Sequence, residues 1–333
     1  GFKKDRVLLH FGAVDQECSV YLNGKLLGEH VGGYLAFCFE VTEVLLEGEN
    51  VLTLCVKDWT EKKPHARGKQ KLVRKGKMSS LFYTPQSGIW KTVWLESVPE
   101  EYIEDLKITP LYDEAAVKIR LKVKGEQTQA KVSVFDDGHV VAEAEMNTKE
   151  DVKIALKEFI SWSPENPHLY NLKITYGRDE VISYFGMRKF SVGKDSKGML
   201  RFFLNDQPFF FNGILDQGYW PESLMTPPSD EALVYDIEQM KKFGFNMLRK
   251  HVKIEPARWY YHCDRLGMVV WQDMVNGGGP VNKILETYGP TVFPPLGTHL
   301  RDNHYALLSR QDADARRRFE KDLRRMIRQL YNC

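Results

Sequence analysis

The stretch from Pro208 to Met274 decides the fold of this chain. It reads PFFFNGILDQGYWPES (208–223), then SDEALVYDIEQMKKFGFNMLRKH (229–251), then EPARWYYHCDRLGMVVWQDM (255–274). Ser229 can cap a helix in which apolar residues recur at helical spacing, and Gly244 can end that helix. Pro256 and Gly267 bound a second helix in the same way. Strand, helix, strand, helix, strand is the order that predicts parallel strands and the opening of a (β/α) barrel.

Polar side chains stand where these predicted strands end, which is where barrel enzymes carry their chemistry. Asp216 ends the first strand, Arg249 and His251 the second, and Asp273 the third. Arg249 and His251 are two positions apart, so both should point to one side of the strand. They can bind a ligand or hold carboxylates by charge-assisted bonds. A buried ion pair and an ordinary surface histidine are the structural alternatives.

Two β-rich segments precede this stretch. Residues 1–98 alternate apolar and polar positions in short runs, with the hairpin signal Asn23-Gly24, which predicts a sandwich or jelly roll. Residues 99–192 contain about seven such runs, as an immunoglobulin-like sandwich does. Residues 193–333 add a crossing segment, the barrel opening, a Gly- and Pro-rich connection (275–311) and an amphipathic helix. We therefore expect a multidomain chain of β-sandwich plus α/β structure.

Composition excludes several function classes. A net charge of +2 on 333 residues gives no global field for nucleic acid. The basic stretch 62–77 has few interleaved aromatic residues and is interpreted as a solvated loop. There is no apolar run long enough for a membrane span. Gly277-Gly278-Gly279 lacks the lysine of a phosphate loop, and His262-Cys263 lacks zinc-ligand spacing, so we expect neither a cofactor nor a metal.

Five scattered cysteines match no zinc or disulfide pattern, and we expect buried or half-buried free thiols. Free thiols favour a reducing, cytoplasmic compartment. Secretion stays open, because Gly1 leads almost directly into a strand and an earlier segment is expected to be missing.

Taken in order, the motifs resemble glycoside hydrolase family 2, which holds β-galactosidases, β-glucuronidases and β-mannosidases. The resemblance covers the whole chain. It rests on YLNGKLLGEHVGGYLAFCFEVT (21–42), SGIWKTVWLE (87–96), SWSPENPHLYNLKI (161–174), FGMRKFSV (185–192), FFLNDQPFFFNGI (202–214) and GFNMLRKHVKIEPARWYYHCDRLGMVVWQD (244–273).

The resemblance implies a retaining glycosidase, an O-glycosyl hydrolase acting on terminal β-glycosidic bonds, with β-galactosidase-like activity favoured. It implies a galactose-binding-like jelly roll over 1–98 that is incomplete at its N-terminus. An immunoglobulin-like sandwich would follow over 99–192, and the first third of a (β/α)8 TIM barrel over 193–333. The partner would be an oligosaccharide or another β-glycoside, with no nucleic acid or membrane, and a homo-oligomer is allowed. The residues expected to bind substrate are Arg249, His251, Asp216, Asp273 and Trp220; the indole of Trp220 could stack on a sugar ring or simply pack against the core.

The sequence also departs from the family pattern. LDQGYWPE (215–222) and Gln272-Asp273 differ from what many members carry at these strand ends, which leaves the sugar open. No Trp-x-x-Asn-Glu-like segment is present, so the acid/base and nucleophile Glu of the family are expected beyond Cys333. The chain would then be inactive alone, since Asp216 and Asp273 are a poor substitute for that pair. The alternatives are a non-catalytic carbohydrate-binding or scaffold module and, third, a peptide-binding array of sandwiches.

Overall fold

The computed structural model describes residues 5–60, 62–72, 82–277 and 311–333, together with Val292, Phe293, Asn303 and Tyr305. Most of the predicted connection 275–311 lies outside the described residues, as do the end of the basic stretch 62–77 and Gly278 and Gly279. In the described part, no helix is both long and apolar enough to cross a membrane.

The first sandwich consists of antiparallel strands from the N-terminal segment. The strands are β1 (Arg6–Phe11), β2 (Val14–Asp15), β3 (Glu17–Leu22), β4 (Lys25–Val31), β5 (Phe37–Glu40), β6 (Leu52–Lys57), β7 (Gly88–Ile89) and β8 (Val93–Val98). Two three-stranded sheets, in the orders β5-β1-β8 and β4-β3-β6, are accompanied by a short β2-β7 pair. Asn23 and Gly24 both have positive φ, as the predicted hairpin requires. Alternate residues of β1 and β3, among them Phe11 and Val20, form the core between the sheets.

The second sandwich packs a sheet of order β13-β10-β9 on a sheet of order β12-β11-β14-β15, all antiparallel. Its core contains Val117, Val132, Leu172 and Ile174, all fully buried. A 3-10 turn at Tyr112–Glu114 joins the first two strands. The strands are β9 (Tyr102–Leu111), β10 (Ala116–Lys124), β11 (Gln129–Asp136), β12 (His139–Asn147), β13 (Val152–Ala155), β14 (Tyr170–Tyr176) and β15 (Asp179–Phe185).

An antiparallel ribbon leads from the second sandwich into the third part of the chain. It consists of β16 (Phe190–Lys194), β17 (Leu200–Leu204) and β18 (Gln207–Pro208). Asn205 and Asp206 turn between β17 and β18 with positive φ.

The parallel unit follows: β19 (Gly213–Asp216), α1 (Asp230–Lys242), β20 (Met247–Lys250), α2 (Ala257–Leu266) and β21 (Val269–Gln272). Ser229 caps α1 by accepting a hydrogen bond from the Ala232 amide at 3.2 Å, and Gly267 ends α2 with a φ of 72°. Both helices pack on one face of the sheet β19-β20-β21, where Leu248 and Trp259 are buried. On the other face Leu215 and Trp271 are exposed, and Arg249 lies between them in register.

A shared core joins the first sandwich to the parallel unit. Tyr34 and Trp90 from the sandwich pack with Met225 and Ile254 from the unit and with Met326 from α3 (Ala313–Gln329). The second sandwich is tied on by polar contacts, such as the bond from Trp162 Nε1 to the Asp264 carbonyl at 2.7 Å. These contacts fix the parallel unit against both sandwiches.

The multidomain, mostly β organisation predicted from the sequence is confirmed. All five cysteines are free. Cys18 and Cys263 are buried as expected, but Cys38, Cys55 and Cys333 are exposed, so the expectation of burial is wrong for those three. Cys55 lies on the exposed half of the strand pattern of β6, where alternate side chains face outward.

Candidate functional site

The three parallel strands bring their carboxyl ends to one edge of the sheet. Asp216 pairs in register with Lys250, and Lys250 pairs with Gln272. His251 and Asp273 follow directly after β20 and β21. Polar residues that are far apart in sequence therefore meet at this edge.

Arg249, His251 and Asp273 form one connected group there, the strand-end group. Arg249 contacts the Asp273 carboxylate through Nη2 at 3.0 Å and Nε at 3.2 Å. His251 Nδ1 lies 2.8 Å from the same carboxylate. Partial burial opposes ionisation of Asp273, but hydrogen bonds from Arg249 and His251 outweigh it and lower the pKa of the carboxyl group. Asp273 thus orients Arg249 and His251, and the Arg249 side chain stays 51% exposed.

Asp216 does not join this group. Its carboxylate lies 2.8 Å from Lys250 Nζ, and Lys250 is 1% exposed. Lys250 follows Arg249 directly, so its side chain leaves the opposite face of the strand. Asp216 is therefore placed on the helix-covered side, away from the carboxylate of Asp273.

A buried charge cluster sits behind the strand end, and sequence reasoning missed it. Glu255 accepts from Lys250 and from Lys253, each at 2.9 Å, and all three side chains are almost completely buried. Lys253 also donates to the carbonyls of Gly218 and Met225. The signal was present as Lys-x-x-Lys-x-Glu in KHVKIE (250–255), but lysine and glutamate are normally solvent-exposed, so composition gave no reason to expect burial.

The direction of each pKa shift in this cluster depends on burial and on how many oppositely charged partners the group has. Burial opposes the charge of Lys250, but Glu255 and Asp216 together raise its pKa. Burial and the neighbouring Lys250 lower the pKa of Lys253, although Glu255 works in the other direction. Burial would neutralise Glu255, but the two ammonium groups hold its pKa below the ordinary value. The cluster thus places the carboxylate of Glu255 between Lys250 and Lys253, with Asp216 as a second carboxylate partner of Lys250.

Trp220 lies in the connection after β19, in a tight turn in which it exchanges backbone bonds with Leu224. Its ring packs against the core beneath α1 and α2. Its Nε1 is buried without a hydrogen-bond partner in the described part of the protein. The neighbouring Tyr219 stacks on Tyr83 with ring centres 3.8 Å apart. Trp220 therefore lies in the connection between β19 and α1, with much of its ring engaged in packing.

The first sandwich supports the strand end from behind. Lys91 Nζ donates to the carbonyls of Tyr34 at 2.9 Å and Glu255 at 3.2 Å. Burial lowers the pKa of Lys91 to about 7, with Lys253 contributing and Glu255 opposing.

Among the residues that the structure describes, no group of three or more His, Cys, Asp or Glu is arranged to hold a metal ion.

Comparison with known proteins gives two family matches. The model described as "Glycosyl hydrolases family 2, sugar binding domain" matches residues 2–99, and the model described as "Glycosyl hydrolases family 2" matches residues 101–188. Together they cover the two sandwiches.

Curated relatives extend the similarity further along the chain. A β-galactosidase large subunit of Latilactobacillus sakei is 28% identical over 80% of this chain and 42% of its own length. A putative β-glucuronidase of Formosa agariphila is 26% identical over 80% of this chain and 32% of its own length. The chain thus spans less than half the length of the curated relatives that it matches.

Solved structures share the fold. A β-D-glucuronidase of Dictyoglomus thermophilum superposes with a TM-score of 0.76 at 20% identity, covering 99% of this chain and 55% of its own. A β-glucuronidase of Faecalibacterium prausnitzii gives a TM-score of 0.64 at 27% identity, over 80% of this chain and 47% of its own.

Proposed function

This chain belongs to glycosyl hydrolase family 2, and on that basis we propose that it is the substrate-holding part of a retaining β-glycosidase. The whole protein would hydrolyse terminal β-glycosidic bonds, with β-galactosidase-like specificity. The observation that carries the proposal is the convergence of Arg249, His251 and Asp273 at the carboxyl ends of parallel strands.

The parallel unit would be the first third of a (β/α)8 barrel. Its strands pair in parallel in sequence order, and its helices cover one face only. The other face, which carries Arg249 and Trp271, would be the interior of the barrel. The jelly roll would occupy residues 1–98, the immunoglobulin-like sandwich 99–192 and the barrel part 193–333.

At the barrel mouth, Arg249 and His251 would donate hydrogen bonds to sugar hydroxyls. Asp273 orients both donors, so less rotational freedom is lost when a ligand binds. Trp220 would border the same pocket, and Asp216 would anchor Lys250 rather than touch the sugar directly.

Retaining hydrolysis needs two carboxyl groups about 5 to 5.5 Å apart, one as acid and one as nucleophile. Burial opposes ionisation of Asp273, but hydrogen bonds from Arg249 and His251 lower its pKa, so it is unsuited to donate a proton. Asp216 lies on the helix-covered side with Lys250. We therefore propose that the acid/base and nucleophile Glu of the family lie outside this sequence and that the chain alone has no turnover.

Assays with nitrophenyl β-galactoside and calorimetric titration with galactose test these points. We expect no hydrolysis by the chain, but saturable galactose binding. Because hydrogen bonds to charged groups contribute about 1.5–3 kcal/mol, Arg249→Ala should weaken binding by about 10- to 100-fold. The matched control is Arg201→Ala, which removes an arginine of similar exposure that pairs with Asp195 of the ribbon rather than with Asp273.

Hydrolysis by the wild-type chain would refute the proposed absence of the reactive carboxylates. Equal galactose affinity in the Arg249→Ala and Arg201→Ala variants would refute the barrel-mouth site and favour a non-catalytic carbohydrate-binding module. A homo-oligomer stays a prediction, for which size-exclusion chromatography with light scattering is the measurement.

A further inference from the structure

A cavity, which we call the junction cleft, opens where the first sandwich, the β20–α2 connection and the end of α3 meet. Its volume is about 470 Å³, within the range of small-molecule sites. Trp94 and Lys91 line it from the sandwich, and Pro256 and Arg258 line it from the start of α2. The residues of the strand-end group are not part of its lining, so this junction cleft is a separate site.

Trp94 forms a rigid aromatic wall of the junction cleft. Its side chain is 43% exposed, and it lies on β8, the edge strand of the sheet β5-β1-β8. One face of the indole stacks on His10 from the neighbouring strand, with ring centres 4.7 Å apart and planes 5° from parallel. His10 is itself held by Glu96, with Nε2 to Oε2 at 2.8 Å. The ring is therefore oriented before any ligand arrives, which limits the entropy lost on binding.

The charge of His10 also helps to hold the indole ring of Trp94 in place. Burial favours neutral His10, but contacts with Cys38 and Glu96 raise its pKa to about 9. His10 is thus a cation at neutral pH, and a cation against the face of a tryptophan is attracted to the ring.

The polar side of the junction cleft presents donors. Arg258 is held by Asp230 through Nε at 3.0 Å, and a guanidinium fixed in this way has two further nitrogens that can meet a carboxylate. Lys91 adds an amine at the floor. The carboxylate that borders the cleft, Glu255, is neutralised by Lys250 and Lys253 and does not repel an anion.

We propose that the junction cleft binds the pyranose ring of a hexuronate, with the apolar face of the ring on Trp94 and its carboxylate on Arg258. Apolar area on a preset indole and a charge-assisted bond at one edge are the two features that such a ligand requires. The first residues of α2 lie at the same wall, and the partial positive charge of a helix start reinforces the preference for an anion.

Titration of the whole chain with sodium D-glucuronate, followed by tryptophan fluorescence and calorimetry, tests the proposal. Methyl β-D-glucoside probes the same ring without the carboxylate, and sodium acetate probes the carboxylate without the ring. We expect saturable glucuronate binding near the ~1 mM range of a weak single-ring site, and tighter binding than either control ligand shows. Trp94→Ala should weaken it by about threefold to tenfold, with Trp94→Phe in between. Arg258→Gln should weaken glucuronate binding and leave glucoside binding unchanged.

The matched control is Ile182→Ala, which truncates an apolar side chain that is 72% exposed on the second sandwich and should change nothing. Arg249→Ala separates this proposal from the barrel-mouth site, because the junction cleft should keep its glucuronate affinity in that variant. The proposal is overturned if the wild-type chain shows no saturable binding, or if correctly folded Trp94→Ala and Trp94→Phe variants bind like the wild type. It is also overturned if acetate binds as tightly as glucuronate.

Discussion

Replacing Glu255 by glutamine should be among the most destabilising single changes in the parallel unit. The glutamine has nearly the same shape, so the change removes a charge and little else. Glu255 is 1% exposed and bonds to two ammonium groups at 2.9 Å each, and Asp216 can compensate for only one of them. Breaking a buried ion pair from one side costs about 3–5 kcal/mol, because the other charge stays buried without a partner.

Hydrogen exchange measured by mass spectrometry on peptides from β20 to β21 gives the local free energy of opening. Glu143→Gln is the matched control, since Glu143 pairs with Lys131 on an exposed strand face and such pairs contribute about 0–1 kcal/mol. In the variant, Lys253 lacks the carboxylate that supports its proton. Its already lowered pKa should therefore fall further, and the deficit should shrink as the pH rises toward about 10.

The sign on the acid side follows from the lowered pKa of Glu255. Its contribution is present above the unfolded-state pKa of about 4.5 and is lost as the pH falls through the folded-state value. The stability difference between wild type and variant should therefore narrow in acid as well. A deficit equal to that of Glu143→Gln at pH 7, or one that does not change with pH, would refute this account of the cluster.

Two further predictions concern the first sandwich and the end of α2. Burial raises the pKa of Asp15 to about 7; the Gln70 hydrogen bond lowers this pKa and the charge of Asp58 raises it. As the pH rises, the unfolded chain therefore releases the Asp15 proton before the folded chain does. The free energy of unfolding should then fall between about pH 4 and pH 7. In thermal melts, the Asp15→Asn variant should not lose stability between about pH 4 and pH 7. A variant that loses stability over this range as the wild type does would contradict the raised pKa of Asp15. Gly267→Ala should cost about 1–3 kcal/mol in urea denaturation, because φ is 72° and an added Cβ would lie 2.4 Å from the Pro164 carbonyl. Gly244→Ala has a similar φ of 88° but open space around it, so its cost should be about 1 kcal/mol, and equal costs at the two glycines would rule out the steric part of the argument.

The sequence predicted the elements that local chemistry determines. Ser229 and Gly267 mark helix ends because capping and positive φ are properties of single residues. The convergence of Arg249 and His251 on Asp273 could be anticipated from strand period and parallel order. Asp216 ends its strand as predicted, but its pairing with Lys250 could not be foreseen, because the register between strands is not written in a single strand.

Features made by distant segments stayed invisible. The junction cleft is lined by residues from Gly12 to Leu330, and no local pattern indicates that Trp94 and Arg258 share a cavity. The same holds for the buried lysines, whose partners become apparent only when β19, β20 and the connection to α2 are packed together.

The core that the first sandwich shares with the parallel unit cannot form until both parts have been synthesised. The hydroxyl of Tyr34 meets the sulfur of Met225, which is made 191 residues later. At ribosomal speeds of about 5 to 20 residues per second, roughly 10 to 40 s pass between the synthesis of Tyr34 and that of Met225. During this delay the surface around Tyr34 and Trp90 is an unfinished apolar patch, a target for chaperones while translation continues.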